Sequence, residues 1–143
     1  MNKTLPPILA QLKELIKSKQ YIITSPYGWR KHPITGERQY HNGLDLAPVG
    51  EASRWLVVGR PDAVIPLYSA ACGLGLAVWH GGLYVGLCHL RAVALTESRG
   101  WVVEVGATGM ATGVHLHLVV AENSQQGVIG SGKLVDPMRY LSA

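Results

Sequence analysis

The sequence predicts one mainly β domain, an antiparallel sheet with an α-helix in front of it. Three observations carry this. A single apolar stripe at helical spacing is confined to the first twenty residues, and short runs rich in Val, Leu and Tyr alternate with glycines after it. The 17 glycines and 8 prolines among 143 residues supply the tight turns that many short strands need.

The helix is expected from about Pro6 to Lys19. Leu5, Ile8, Leu9, Leu12, Leu15 and Ile16 recur at three- and four-residue intervals. Lys13, Lys17 and Lys19 lie off that stripe, and Thr4 before Pro6-Pro7 suits a helix start. So short a helix with few basic residues reads as an element packed on the domain, not as a membrane-surface helix. Residues 1–20 are therefore set apart as the N-terminal amphipathic helix, and 21–143 form the main domain. Tyr21-Ile22-Ile23 is strand-like, and Ser25-Pro26-Tyr27-Gly28 is turn chemistry. Strands are expected at Leu74 to Trp79, Leu83 to Leu90, Trp101 to Val105 and Val114 to Val120. A tail from Asp136 to Leu141 closes the domain.

Composition removes several function classes. Hydrophobic residues at 48% and charged residues at 15% exclude a disordered chain. A net charge of +4, spread without a basic run, favours an anionic surface such as a bacterial envelope or simply solubility. No nucleic-acid-binding signature accompanies it. Cys72 and Cys88 form no CxxC pair and no disulfide framework, so two separate buried thiols are expected. The N-terminus lacks a secretory leader, and no stretch of about 18 apolar residues exists to span a membrane. A monomer, made soluble, is the expectation.

Six histidines occur: His32, His41, His80, His89, His115 and His117. His41 and Asp45 stand four residues apart, and His115-Leu116-His117 lies in an apolar run. Strand residues i and i+2 share a face, so His115 and His117 would both meet one cleft. Imidazole and carboxylate are ligand types that zinc takes, and catalytic sites use three of them with a fourth position open. Two histidines and an aspartate would leave the second histidine of the HxH pair for proton transfer. Each motif alone is a weak signal, and the helical HExxH motif is absent.

At these residues the chain resembles a known family. The run Tyr27-Gly28-Trp29-Arg30-Lys31-His32-Pro33-Ile34-Thr35-Gly36, followed by His41-Asn42-Gly43-Leu44-Asp45-Leu46-Ala47-Pro48, resembles the lysostaphin-type zinc endopeptidases. Pro66 to Ala70, Cys88-His89-Leu90 and Gly106 to His117 agree with it, so the resemblance covers roughly residues 22 to 141. It implies the family's duplicated-hybrid-motif-like fold and hydrolysis of the peptide part of bacterial peptidoglycan. By the same resemblance His41, Asp45 and His117 match the family's ligands to a single zinc ion, Zn2+. His115 and His89 match its two catalytic histidines, which deprotonate water, stabilise the oxyanion or protonate the leaving amine. His32 is expected to order a loop, His80 to sit in a turn, and Tyr40 and Tyr68 to pack in core or surface.

The chain also departs from the family. About a dozen extra residues, Glu51 to Val64 with Arg54 and Trp55, read as a tolerated surface hairpin. The segment from Arg91 to Gly106 is short, and Leu87-Cys88 replaces the usual Tyr-Ala before the catalytic histidine. The alternative function is an inactive peptidoglycan-binding or regulatory module of the same fold. A carboxypeptidase releasing terminal D-alanine ranks below both. The absence of a leader or wall-binding module suggests a phage lytic protein, either a virion component or an enzyme released at lysis.

Overall fold

A computed structural model describes residues 5–142. The chain begins with α1 (Pro7–Lys17), whose first residue is a proline that needs no hydrogen-bond partner there. Ile8, Leu9 and Leu12 are fully buried, and Leu15 and Ile16 pack partly against the same core. The helix ends at Lys17 and not at the expected Lys19, because Lys19 turns left-handed at φ 63° while its N–H bonds back to the Ile16 carbonyl. Thr4, expected as the helix start, lies outside the described residues.

Eleven strands follow: β1 (Tyr21–Ser25), β2 (Gly28–Lys31), β3 (Arg38–His41), β4 (Leu44–Pro48), β5 (Trp55–Gly59), β6 (Ala63–Ser69), β7 (Gly73–His80), β8 (Leu83–Thr96), β9 (Gly100–Val105), β10 (Leu116–Glu122) and β11 (Lys133–Val135). A short helix, α2 (Met138–Leu141), ends the described chain. Nine strands make one antiparallel sheet whose main path runs β1-β4-β10-β8-β7-β6. From it, β11 pairs with β10, β9 pairs with the long outer part of β8, and β5 pairs with β9. The pair β2-β3 is a separate hairpin. The mainly β, antiparallel architecture with an N-terminal helix is thus the observed one. β6 is an edge strand, and Pro66 stands in the middle of it, opposite Leu76.

A main apolar core unites both helices with most of the sheet, and a smaller one around Trp79 and Tyr84 takes in β6. The main core holds Leu44 and Leu46 of β4, Leu76 and Val78 of β7, Leu87 and Leu90 of β8, Leu116 and Leu118 of β10, and the buried face of α1.

Two expectations fail. The insertion is no surface hairpin: its Leu56 and Val58 are 1% and 0% exposed, and β5 is a sheet strand covered by α1. The Val57 N–H donates to Gln11 Oε1 on the helix at 2.7 Å, which ties the two elements together. Nor are Cys72 and Cys88 separate thiols; they form a disulfide that ties the turn before β7 to β8. Their sequence spacing carries no information on distance, whereas the turn before β7 folds against the β8 bulge and brings their Cα atoms to 4.9 Å, within the range of a bridge.

Candidate metal centre

The central strands bring the picked residues together. Asp45 on β4 lies directly opposite His117 on β10, and Cys88, next to His89, is opposite His117 on its other side. His41 closes β3 and enters the same place from the hairpin. His115 precedes β10 instead of starting it, its N–H held by the Gly106 carbonyl at 3.1 Å.

Hydrogen bonds fix which nitrogen of each ring carries the proton. A carbonyl oxygen only accepts, so His41 Nδ1, 2.8 Å from the Pro26 carbonyl, is the N–H. Its Nε2 is therefore a lone pair, 3.3 Å from both His117 Nδ1 and Asp45 Oδ1. His117 Nδ1 is 2.9 Å from that same carboxylate oxygen. One donor atom from each of these three residues lies within 4.8 Å of the others. Converging lone pairs repel unless a proton or a cation sits among them, so this donor set fits a divalent metal. The Pro26 bond to His41 is the kind of outer partner that fixes a ligating imidazole.

The same logic applies to the other two rings. His115 Nδ1 donates to the Gly113 carbonyl at 2.9 Å, and His89 Nδ1 to the Thr108 carbonyl at 2.8 Å. Each ring is left with Nε2 as its basic atom. His115 Nε2 is 4.0 Å from Asp45 Oδ1, and the His89 ring is centred 4.7 Å from that of His115 and 6.1 Å from that of His117.

Burial pushes the Asp45 carboxyl up, but the imidazoles of His117 and His41 beside it outweigh that and hold it well below its ordinary 3.8. Burial lowers His89 below 6.5, with the Thr108 bond only partly opposing it. An aspartate kept ionised beside a histidine kept neutral suits metal binding and proton acceptance respectively.

The remaining residues take lesser places. His32 Nδ1 accepts from the Ile34 and Thr35 N–H groups and orders the β2-β3 loop, as expected. His80 ends β7 at the turn into β8. Tyr40 packs at the surface, edge-on to Trp29, with its hydroxyl bonded to that of Tyr27, and Tyr68 is 89% exposed. Three contributors escaped the motif reading. Arg30 places Nη1 2.7 Å from Ser25 Oγ and 4.0 Å from Asp45 Oδ2. Thr108 supplies the carbonyl for His89 while its hydroxyl donates to the Leu90 carbonyl. Gly43 abuts the His117 ring. All three stood in the recognised runs, but nothing in a run tells which side chains meet through space. A cavity of about 370 Å³ adjoins the centre, bounded by Ser25, Arg30, Asp45, Thr112 and His115. A larger one, about 410 Å³, lies near Pro6, His80 and Tyr140 and touches none of the five site residues.

Comparison with known proteins gives this arrangement a class, that of the peptidases. No family model matches the chain. A relative, the DD-carboxypeptidase/endopeptidase Mpg of Neisseria meningitidis, is 36% identical over 111 residues, 72% of this chain and 25% of that protein. The chain thus spans about a quarter of that relative's length. A zinc-containing peptidase from Vibrio cholerae superposes with a TM-score of 0.59 at 28% identity, covering 84% of this chain and 37% of that one. The catalytic domain of lysostaphin from Staphylococcus simulans shares the fold, with a TM-score of 0.62 at 19% identity, over 87% of this chain and 95% of that one. The chain belongs to the lysostaphin-type peptidase family.

Proposed function

We propose that this chain is a zinc-dependent endopeptidase that cuts peptide bonds in bacterial peptidoglycan. The observation that carries it is the convergence of His41, Asp45 and His117 beside two further histidines whose free atom is Nε2. His41 Nε2, His117 Nδ1 and an Asp45 oxygen would hold the metal. Bound zinc supplies a Lewis acid that polarises the scissile carbonyl and acidifies a water. The chain's own residues do the rest. His89 and His115 offer Nε2 as proton acceptors for the attacking water, their Nδ1 atoms already engaged by Thr108 and Gly113. The ring that takes that proton becomes a donor, first to the developing oxyanion and then to the leaving amine. All five residues are present, which argues against an inactive module.

Elemental analysis and peptidoglycan digestion with and without a chelator test this reading. About one zinc per chain and chelator-sensitive release of amino groups are expected. His117→Ala and Asp45→Ala lose both metal and activity, whereas His115→Ala keeps the metal and loses on the order of 10²-fold or more in rate. Full activity in His115→Ala, or no metal after reconstitution, sinks it. A second reading, removal of a terminal D-alanine, is favoured by the name of the Neisseria relative. A soluble pentapeptide that loses its last residue while cross-linked material stays intact would select that reading. A phage setting is a companion proposal, overturned if the gene lies far from any virion or lysis genes.

A further inference from the structure

The proposed catalytic His89 sits in a conformation that its surroundings must impose. Its φ is 67°, in the left-handed region that residues with a Cβ avoid. The β7-β8 register explains why. Leu76 faces Leu87 and Leu74 faces Leu90, so Gly75 alone opposes both Cys88 and His89. That extra residue is a bulge, and it re-aims the histidine.

Two segments, residues 72–74 and 106–108, clamp the bulge. The His89 N–H donates to the Cys72 carbonyl at 2.7 Å, and the His89 carbonyl accepts from Gly106 N–H at 3.1 Å. Thr108 holds the imidazole, and its hydroxyl oxygen also accepts from Leu74 N–H at 3.1 Å. The loops touch backbone to backbone, since a Cβ on Gly73 would lie 2.4 Å from the Thr108 carbonyl carbon. Cys72 therefore grips His89 through its carbonyl and Cys88 through its sulfur. Gly75 leaves room for that bridge, because a Cβ there would come within 2.7 Å of Cys72 Sγ.

We propose that the Cys72–Cys88 disulfide is a positioning element for His89, so that full activity belongs to the oxidised protein. The inference rests on the peptidase reading for its catalytic consequence but not for its structural one. Both cysteines are half-buried, within reach of a small reductant. A trialkylphosphine serves as the probe, because dithiols also ligate zinc. The phosphine gives two electrons to the S–S bond and takes oxygen from one water to become the phosphine oxide. The two protons of that water complete the two thiols. The bulge then keeps its hydrogen bonds and loses its covalent clamp.

Site-resolved amide exchange and steady-state kinetics on the zinc-loaded chain test this, before and after reduction and in a Cys72→Ser/Cys88→Ser variant. Reduction and the variant are expected to speed exchange at His89 and Gly106 at least tenfold, with Leu118 unchanged. The kcat is expected to fall at least fivefold at constant KM and zinc content, and the phosphine does nothing further to the variant. Unchanged exchange at His89 overturns the proposal, as does uniform acceleration across the sheet, which marks a general crosslink. Local loosening with an unaltered kcat overturns it too. If neither form hydrolyses any wall substrate, the peptidase reading has failed, and the exchange data alone decide whether the clamp exists.

Discussion

Gly43 shows how tightly a single position is drawn. A Cβ there would lie 2.5 Å from the Leu118 carbonyl oxygen and 2.8 Å and 2.9 Å from His117 Cε1 and Nε2. The imidazole would have to turn and the backbone at Leu118 would have to shift. Gly43→Ala is therefore expected to weaken zinc binding by roughly 10- to 100-fold, the usual cost of disturbing a ligand's support. Competition against a chromophoric chelator measures it, and wild-type affinity would refute the role. The histidines give a second prediction. His80 and His89 are both lowered from 6.5, by burial first; Asp62 opposes it at His80 and the Thr108 bond at His89. The unfolded chain thus takes up protons before the folded one does. Stability of the chelated protein should fall as pH drops through about 6.5 and level off below the lowered folded values. Asp45 acts in a separate window: its contribution is complete above 3.8 and is lost only at lower pH. Urea unfolding between neutral and mildly acid pH should show the first decline, shallower in His80→Gln; an equal slope in both proteins would count against it. His41, Asp45, His115 and His117 could be picked out by ligand type and spacing, and His89 only by the family resemblance. Gly43, Arg30 and Thr108 could not, since their roles exist only once the β2-β3 hairpin and the loop after β9 meet β4, β8 and β10.

The inserted β5 is the element most unlike its expectation. Its Leu56 and Val58 are core residues, and the strand is held on one side by β9 and on the other by α1. Leu56→Ala should cost about 2–5 kcal/mol, the range for truncating a fully buried leucine. Gln11→Ala should cost about 1–3 kcal/mol, because the half-buried Val57 N–H loses its partner. Thermal or denaturant unfolding checks both, and values near zero would return the insertion to the surface. Trp55-Leu56-Val57-Val58-Gly59 did carry a strand-like composition. Periodicity cannot say whether such a run pairs with its neighbour or with a strand more than forty residues on, and β9 is the latter. The strands of β7 and the inner half of β8 were readable because glycine turns bracket them. The start of β10 slipped from Val114 to Leu116 because the Gly106 carbonyl holds His115 out of the ladder.

Across the whole molecule, the sheet does two jobs: β4, β8 and β10 carry the centre, and the outer strands close the core with both helices. The covalent clamp also belongs at this scale. A loop closed over a sequence separation of 16 restricts the unfolded chain by about 3 kcal/mol in the chain-entropy account. Among the described residues no helix is long and apolar enough to cross a membrane. The edge strand β6 has a consequence for behaviour in concentrated solution. An open edge invites the edge of another copy, strand beside strand, and growth of that kind has no natural stop. Pro66, at the middle of β6, lacks the N–H that such a visitor would need. Crowded preparations should then stay free of fibrils and large particles on this side. Replacing that one ring with valine, Pro66→Val, restores the missing donor and adds a strand-favouring side chain, and light scattering should rise with concentration where the parent stays flat.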